Sequence, residues 1–483
     1  MFLRTANRHC TSQRVKNLLD ARALSSIASN TNNSGSKSWH VASSGAFLVG
    51  SAVAAISLLS DRTQKNRTLL EAAPLNQDEC EDETTNIVNW SGTHAVNVLN
   101  KNYYEPETTA ELEQIVAKCH EDGQPLRPVG SALSPNAISF NAGGMVSLAN
   151  LDRIIKIDKE NMTVTVEAGA RVSQVIDALR EQDLTLPNLA SIAEQQMGGF
   201  TQIGAHGTGA KISPVDDFVT SLKLVTPARG TVELTPEDGE MFQLAKVGLG
   251  CLGVVSEVTM SCVPAHHLLE HTYVLTRSQA KKQINNLLKK HKHIRYMWIP
   301  YQDTVVVVTN DPEDENSAML VEGSNKSKAG VVDSFKPLRD LLKELSKDSK
   351  EPMTDETLQE KGFGELRDAL LSFKPLSGDH VKRVNEVEAE FWKLSEGYQI
   401  RPSDELLQFD CGGQQWVFEV CFPTGTYQRN AGHDMQFMED LLKKIESDKI
   451  PAHAPIEQRW SANSNSLMSP AHGPDGGLHC WVG

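Results

Sequence analysis

Two runs of small residues constrain the fold of this chain more than any other feature. RPVGSALSPN at 127–136 follows a helix, a glycine and a strand, and GAHGTG at 204–209 lies further along the same predicted domain. Backbone N–H groups in such runs can surround an anion, and Ser and Thr hydroxyls add further donors. One such run is more often a plain turn, whereas two in one domain favour a diphosphate-binding site.

Short helices and strands are predicted from Asn89 to Pro264. The first clear helix begins with Thr108 and Glu111 in the arrangement of a capping box, and apolar residues such as Leu112 recur behind them at helical spacing. The runs TVTVEAGA, SLKLVTP, GTVELTP and VVSEVTM have the composition of strands. Because helices and strands occur in this mixed order, we expect an α+β domain that ends near Pro264.

A second region follows this domain. It opens with the predicted strand HLLEHTYVL, the helix SQAKKQINNLLKKHK and the strands RYMWIPY and TVVVVTN. Residues 311–361 are charged and poor in apolar side chains, so they are expected to form a long, mobile insertion. Strands resume at QWVFEVCFP and IEQRWSA.

The N-terminal residues differ in charge from the rest of the chain. The whole chain has a net charge of −15, which argues against sequence-independent nucleic-acid binding, whereas residues 1–75 hold nine basic and three acidic side chains. Residues 1–40 are rich in Arg and Ser, which is typical of a mitochondrial transit peptide. Residues 41–60 are uncharged and apolar; they are either cleaved with the transit peptide or, as we favour, a sorting or membrane segment. A linker is expected over 61–94.

A glycine motif, GLGCLG at 248–253, matches the GxGxxG pattern of dinucleotide-binding domains, which needs a strand before it and a helix after it. Here the helix MFQLAK precedes the glycines and the strand VVSEVTM follows them. We therefore interpret the motif as a tight turn from helix to strand, at which the backbone could still approach a ligand closely.

A histidine motif, HLLEH at 267–271, matches the HxxEH pattern of zinc hydrolases, in which both histidines lie on one helical turn. The preceding Pro264 and the following TYVL favour a strand instead, in which residues four apart are separated by roughly 13 Å. We expect two partly exposed strand histidines here and assign no metal site.

Five motifs together, in this order, resemble the vanillyl-alcohol-oxidase type of FAD flavoproteins, and within it the aldonolactone oxidoreductases: RPVGSALSPN, NLASIAEQQMGG, IGAHGTGA, GLGCLGVVSEVTM and PIEQRW. The resemblance extends from about Trp90 to Gly483 and is weak over 311–361. It implies an α+β fold in which a two-subdomain FAD-binding domain over 95–265 precedes a mixed-sheet cap domain over 266–483 that carries the substrate. Because the family continues past the point where this chain stops, we expect part of the cap to be missing.

The resemblance also implies which residues bind FAD. They are Val129, Gly130, Ser131, Ala132, Leu133, Ser134, Ser191, Gly198, Gly199, Gly204, His206, Gly207, Thr208 and Val255. Many relatives have, at the position of Leu133, a histidine that bonds covalently to the flavin. Leucine has no nucleophilic atom, so non-covalent FAD is expected.

Ala190 is a second departure, since similar lactone oxidases have glycine there. A methyl group beside the flavin could block dioxygen, in which case Ala190 is an oxygen gate and predicts a dehydrogenase rather than an oxidase. The alternative is that Ala and Gly are interchangeable in packing at this position.

Glu457 and Arg459 are the candidate catalytic pair. In a strand, period-two geometry places both on one face, and Ile456, Gln458 and Trp460 on the other. On an exposed strand such a pair would be a surface salt bridge, but in the family it binds and activates the lactone. A carboxylate can orient or accept a proton from the substrate hydroxyl, and a guanidinium stabilises a developing oxyanion.

Cys411 is expected in the cap. It is interpreted as structural, or as an oxidation-sensitive thiol if it faces the pocket.

The function that the resemblance implies is that of a FAD-dependent lactone dehydrogenase at the mitochondrial inner membrane, facing the intermembrane space. It would oxidise L-galactono-1,4-lactone to L-ascorbate by hydride transfer to the flavin and pass the electrons to cytochrome c, with respiratory complex I as a further partner. Two alternatives remain open. One is an oxidase that reduces O₂ and uses L-gulono- or D-arabinono-1,4-lactone, and the other is an inactive scaffold or assembly factor of a respiratory complex.

Overall fold

The computed structural model of the chain describes residues 83–324, 333–347, 353–408 and 416–483. The predicted transit peptide, the apolar segment 41–60 and Cys411 lie outside these ranges. Within the ranges, every helix is too short or too polar to cross a bilayer.

The first domain contains strands and helices in alternation. Its strands are β1 (Thr84–Val88), β2 (Ala95–Leu99), β3 (Tyr103–Tyr104), β4 (Arg127–Val129), β5 (Met145–Ser147), β6 (Ile154–Asp158), β7 (Thr163–Glu167), β8 (Leu184–Thr185), β9 (Val219–Thr226), β10 (Gly230–Leu234), β11 (Val254–Ser261) and β12 (Val263–Pro264). Its helices are α1 (Thr109–Glu121), α2 (Val172–Arg180), α3 (Met197–Gln202) and α4 (Glu240–Ala245), with 3₁₀ helices at Asn100–Asn102, Val215–Phe218 and Pro236–Asp238.

The first domain contains a three-stranded parallel sheet and a five-stranded antiparallel sheet. Strands β3, β5 and β4 form a parallel sheet in that order, and β10, β9, β11, β7 and β6 form an antiparallel one. Buried side chains from α1, α2, α3 and the antiparallel sheet pack into one core, among them Leu112, Leu179, Phe200 and Val258. This arrangement confirms the predicted α+β class.

Helix α1 begins where the sequence predicts. The Thr108 hydroxyl accepts a hydrogen bond from the Glu111 backbone N–H at 3.2 Å. The Glu111 carboxylate accepts from the N–H of Glu107 rather than from that of Thr108. Leu112 and Val116 are buried behind this cap, as the helical spacing requires.

The glycine motif GLGCLG forms the connection between α4 and β11, so its interpretation as a helix-to-strand turn is correct. Leu249 and Gly250 have φ values of +52° and +75°, in the left-handed region that tight turns use. No dinucleotide-binding crossover exists at this motif, because the helix precedes the turn and the strand follows it.

The second domain, from residue 267 onwards, is built on a larger sheet. Its strands are β13 (His267–Leu275), β14 (His293–Ile299), β15 (Thr304–Pro312), β16 (Gly397–Pro402), β17 (Val420–Thr426), β18 (Ile456–Ala462) and β19 (Gly477–Val482). Its helices are α5 (Arg277–Lys290), α6 (Ser317–Gly323), α7 (Lys336–Ser346), α8 (Asp355–Gln359), α9 (Phe363–Ser372), α10 (Gly378–Leu394), α11 (Ser403–Leu406) and α12 (His433–Ser447).

The order of strands in this sheet is β16-β13-β15-β14-β18-β19-β17. Every pairing between these strands is antiparallel. The cap sheet is therefore antiparallel, whereas a mixed sheet was expected. Helices α5 and α12 pack on one face, where Ile284 and Met438 meet Trp460 in a single core. On the other face Ala389 of α10 packs against Met297 and Val306.

The histidine motif HLLEH lies in β13, as predicted. The His271 ring stacks on Tyr398 with centroids 3.9 Å apart, and the buried Glu270 carboxylate accepts a hydrogen bond from the Gln399 amide at 2.8 Å. Nowhere in the described ranges do three His, Cys, Asp or Glu side chains converge as metal ligands would.

Two expectations about segments are wrong. The described part of 311–361 contains α6, α7 and α8, and leucines of α7 such as Leu338 and Leu342 are buried against α9. In α7 the charged Lys336, Asp340 and Lys343 are exposed on the face opposite these buried leucines. The linker expected over 61–94 ends earlier, because β1 pairs with β2.

Candidate active site where the two domains meet

The first run of small residues forms a loop after β4 that is held by the turn between β1 and β2. Trp90 donates its backbone N–H to the Ala132 carbonyl at 2.8 Å, and the Asn89 side chain donates to the Ser134 carbonyl at 3.0 Å. Ala132 has a φ of +51°, so these bonds fix a backbone conformation that L residues rarely adopt. Half-buried Leu133 lies in the same loop.

Asn89 was missed by the sequence analysis. It is buried, and its side-chain oxygen accepts hydrogen bonds from the backbone N–H groups of Thr93 and His94 at 2.9 and 3.0 Å. The available signal was an asparagine three residues before a glycine, in a turn between two strands. Through this turn Asn89 shapes the loop that was predicted to bind the diphosphate.

The loop after β4 lies directly beside the segment that leads into α3. The Ser131 hydroxyl donates to the Glu194 carbonyl at 2.6 Å, and a Cβ placed on Gly130 would lie 3.1 Å from the Gln196 side-chain oxygen. Ser191, at the start of this segment, is half-buried. Two groups of predicted cofactor residues, distant in sequence, are therefore neighbours in space.

An open space borders α3 at Gly199. A Cβ on Gly199 would meet no heavy atom within 4 Å, although its neighbour Phe200 is buried. A Cβ on Gly198 would instead lie 3.0 Å from the Ala168 side chain. Glycine at 199 thus leaves room that the protein itself does not fill, which fits an extended cofactor lying along α3.

The second run of small residues packs on the Asn188–Ala190 segment. A Cβ on Gly207 would lie 2.1 Å from the Asn188 side-chain oxygen and 2.5 Å from the Leu189 carbonyl, so this glycine makes room for protein atoms. Gly204 has a φ of +68°. Asn188 and Leu189 are buried, whereas Ala190 is half-buried.

Val255 is placed differently from the other predicted cofactor residues. It lies on β11 next to a bulge, and its side chain is buried in the core of the first domain. Any contact with a cofactor would therefore come from its backbone.

The candidate catalytic pair lies on one face of β18, which confirms the period-two prediction. Arg459 Nε is 3.4 Å from Glu457 Oε2. On the opposite face Trp460 is fully buried and donates its indole N–H to Asp434 at 2.9 Å, while Gln458 accepts from an indole on β14. The polar atoms of Trp460 and Gln458 are thus hydrogen-bonded within the core. Glu457 and Arg459 lie on the opposite face of the strand.

A second acidic residue, Glu419, joins this pair to the loop around His206. Its Oε1 accepts from Arg459 Nη2 at 3.2 Å and from His206 Nε2 at 3.1 Å. Burial alone would raise the pKa of Glu419, but the adjacent His206 and Arg459 side chains lower it to about 2. Glu419 is therefore an anion at neutral pH.

Arg295 and Trp481 complete the cluster from the neighbouring strands. The register places Arg295 of β14 and Trp481 of β19 on either side of Arg459. Arg295 Nη1 lies 3.8 Å from Glu457 Oε1, and the Trp481 ring stacks on His206 with centroids 3.7 Å apart. No local pattern in the sequence signals these neighbours, because they follow from strand register alone.

Backbone pairing explains why the loop and the catalytic strand meet. Gly209 donates its N–H to the Trp460 carbonyl at 2.7 Å, as part of a parallel bridge between the loop and β18. The Thr208 carbonyl lies 2.9 Å from Nδ1 of the buried His293 on β14. Burial lowers the pKa of His293 to about 3, which leaves the ring neutral and able to donate one N–H to Thr208.

A second contact fastens the two domains beside this bridge. The buried Asp216 carboxylate accepts hydrogen bonds from the hydroxyls of Ser464 and Ser466, and the Asp217 carboxylate accepts one from the backbone N–H of Asn465 at 3.0 Å. Burial raises the pKa of Asp216. The segment after β18 is thereby held on the first domain, which keeps β18 in place against the loop.

Two family models match the chain. The model described as "FAD binding domain" matches residues 101–235, and the model described as "D-arabinono-1,4-lactone oxidase" matches residues 258–483. The first match lies within the first domain, and the second begins within β11 and covers the second domain.

Known proteins are similar to the chain over most of its length. The mitochondrial L-galactono-1,4-lactone dehydrogenase of Arabidopsis thaliana is 48% identical over 433 residues, which cover 87% of this chain and 69% of that protein. The L-gulonolactone oxidase of Bos taurus is 33% identical over 387 residues, which cover 79% of this chain and 78% of that protein.

A solved structure supports the fold. The crystal structure of cholesterol oxidase from B. sterolicum superposes with a TM-score of 0.61 over 85% of this chain and 81% of that one, at 15% identity. At that identity the likeness concerns the fold alone. With the FAD-binding and lactone-oxidase domains both matched and the relatives covered over most of their length, the chain belongs to the aldonolactone oxidoreductases, a family of FAD-dependent enzymes.

Proposed function

We propose that this protein oxidises L-galactono-1,4-lactone to L-ascorbate with non-covalent FAD as its cofactor. The observation that carries the proposal is the cluster in which Arg459 contacts Glu457 on one side and, through Glu419, His206 of the cofactor loop on the other. In this proposal Glu419 links the substrate-activating pair to the predicted flavin site. The relative with the highest identity given above, the Arabidopsis protein, carries the name of this activity.

The proposed cofactor contacts are the loop after β4, the open side of α3 at Gly199 and the loop around His206. These residues would hold FAD, which would supply the acceptor for the hydride that leaves the lactone carbon. Backbone N–H groups of the segment from Val129 to Ser134 would bind the diphosphate, because they surround an anion without adding a side chain.

Glu457 and Arg459 on β18 act on the substrate in this proposal. Oxidation removes a hydride from carbon and a proton from the adjacent hydroxyl, so negative charge develops on that oxygen. Arg459 stabilises this charge, and its buried position strengthens the interaction. Glu457 orients the hydroxyl or accepts its proton. Arg295, 3.8 Å from Glu457, keeps that carboxylate on the substrate side of the sheet.

The electron acceptor in this proposal is cytochrome c, and the site of action is the mitochondrial inner membrane on its intermembrane-space side, next to respiratory complex I. The Arabidopsis, Brassica and rice relatives are named mitochondrial. The basic, Ser-rich residues 1–40 support import into the same organelle.

An anaerobic titration tests the proposed function. Adding L-galactono-1,4-lactone to the purified holoenzyme should bleach the visible flavin band, form ascorbate, and allow the band to return when oxidised cytochrome c is added. L-Gulono- and D-arabinono-1,4-lactone serve as comparison substrates. A flavin band that stays unchanged with all three lactones would exclude the proposal.

We predict that acid releases the flavin, because Leu133 offers no atom for a covalent bond. After precipitation with trichloroacetic acid, at least about nine tenths of the FAD should be in the supernatant, since only non-covalent contacts that depend on the folded state hold it. A parallel sample with added free FAD measures the recovery. Yellow colour that stays in the washed pellet would contradict the prediction.

We predict that Ala190→Gly accelerates the reaction of the reduced enzyme with O₂. Ala190 is only half-buried, and interiors are packed closely enough that one methyl group can close a path for a small molecule. The rate constant should rise about tenfold, equivalent to about 1.4 kcal/mol of barrier. Stopped-flow reoxidation by O₂ measures it.

The internal control for Ala190→Gly is the reaction with cytochrome c. That protein is too large to enter the pocket, so its reduction by the variant should match that by the wild type. Equal rates with O₂ in both enzymes would show that Ala190 serves packing only.

A further inference from the structure

We propose that Glu419 is a positioning residue that holds Arg459 and His206 in their working orientations. This inference deepens the proposed function, and its kinetic part rests on it. Glu419 precedes β17, at the edge of the cap sheet, and reaches over β19 to the face of β18 that carries Glu457 and Arg459. No sequence motif marks it.

The geometry at Arg459 gives the first reason. Two carboxylates hold its guanidinium: Glu457 contacts Nε at 3.4 Å, and Glu419 contacts Nη2 at 3.2 Å. Because the guanidinium is planar and rigid, contacts at two different nitrogens fix both its position and the orientation of its plane. Removing one of the two contacts takes away one of the restraints on the orientation of this plane.

The geometry at His206 gives the second reason. Its Nε2 lies 3.1 Å from Glu419, and its Nδ1 lies 3.1 Å from the Gly207 carbonyl. A carboxylate only accepts hydrogen bonds, so Nε2 carries a proton in this arrangement. The ring is also stacked on Trp481. Glu419 thus fixes the rotation of a side chain that stands in the loop predicted to bind the cofactor.

The exposure of the three groups gives the third reason. The side chains of His206 and Arg459 are 5% and 10% exposed, whereas that of Glu419 is 35% exposed. An ordinary surface ion pair has two mobile partners and contributes little to stability. Here one anion on the open side of the cluster connects two buried partners from different domains, which is the arrangement expected of a group that orients others.

The experiment compares Glu419→Gln, which keeps the shape but loses the charge, with Glu419→Asp, which keeps the charge. Glu439→Gln is the matched control. Glu439 of α12 pairs with Lys281 of α5, and both helices pack on the sheet face opposite to Arg459. In Glu419→Gln we expect kcat to fall about tenfold to a hundredfold with KM changed less than about twofold, because Arg459 is misplaced rather than removed. Glu419→Asp should recover part of the loss, and the control should match the wild type.

Titration of each apoprotein with FAD gives a readout that needs no turnover. In Glu419→Gln the dissociation constant should rise about tenfold, which corresponds to about 1.4 kcal/mol, because the His206 side chain has lost its contact with an anionic partner. If Glu419→Gln matches the control in both kcat and FAD affinity, Glu419 is an ordinary ion-pair partner and the proposal is overturned. A wild type that oxidises no lactone would refute the proposed function, and the FAD titration would still decide whether Glu419 positions the His206 loop.

Discussion

Replacing Arg459 with alanine should reduce kcat about 10²- to 10³-fold while FAD stays bound. The guanidinium stabilises charge that exists only in the transition state, and removal of one such donor typically costs about 2.7–4 kcal/mol. KM should change much less than kcat, since the interaction strengthens as the charge develops. Steady-state kinetics with L-galactono-1,4-lactone and the ratio of flavin to protein absorbance measure both effects.

Two further variants make the Arg459 result specific. Arg459→Lys keeps the charge but cannot contact Glu457 and Glu419 from two nitrogens, so it should recover only part of the activity. Arg277→Ala is the matched control, because Arg277 is also a partly buried arginine of the cap and pairs with Glu446 at 2.6 Å. It should lower stability without changing kcat. Near-wild-type turnover in Arg459→Ala would remove Arg459 from the active site.

Replacing Gly207 with alanine should destabilise the first domain by about 3 kcal/mol and abolish FAD binding. The added Cβ would lie 2.1 Å from the Asn188 side-chain oxygen and 2.5 Å from the Leu189 carbonyl, and one of these is backbone that cannot move alone. Overpacking of this kind costs about 1–3 kcal/mol, at the upper end where backbone must shift. Thermal unfolding and FAD titration of the apoprotein measure the two effects.

Gly199→Ala provides the contrast for Gly207→Ala. A Cβ on Gly199 meets no protein atom within 4 Å, and alanine favours a helix over glycine by about 0.5–1 kcal/mol. The melting temperature of the apoprotein should therefore stay the same or rise slightly. FAD affinity should still fall, since the methyl group enters the space assigned to the cofactor. Unchanged FAD affinity would place the cofactor away from this side of α3.

Features that depend on neighbours along the chain were predictable. The cap of α1 at Thr108, the turn made by GLGCLG and the strand at HLLEH all follow from residues within a few positions of each other. The same holds for Glu457 and Arg459, because alternation along a strand is set by backbone geometry alone. Composition averaged over a long segment predicted helices less well. The many charged residues of 311–361 suggested a mobile insertion, although α7 within it has an apolar face.

The sequence by itself determined the cap of α1, the turn at GLGCLG, the strand at HLLEH and the common face of Glu457 and Arg459. Only the tertiary structure decided which segments meet: Asn89 against the loop after β4, Glu419 between His206 and Arg459, and Arg295 and Trp481 beside β18. The reason is physical. Local conformation is fixed by sterics and hydrogen bonds within a few residues, whereas strand register and the contact between domains depend on burying apolar faces contributed by distant parts of the chain.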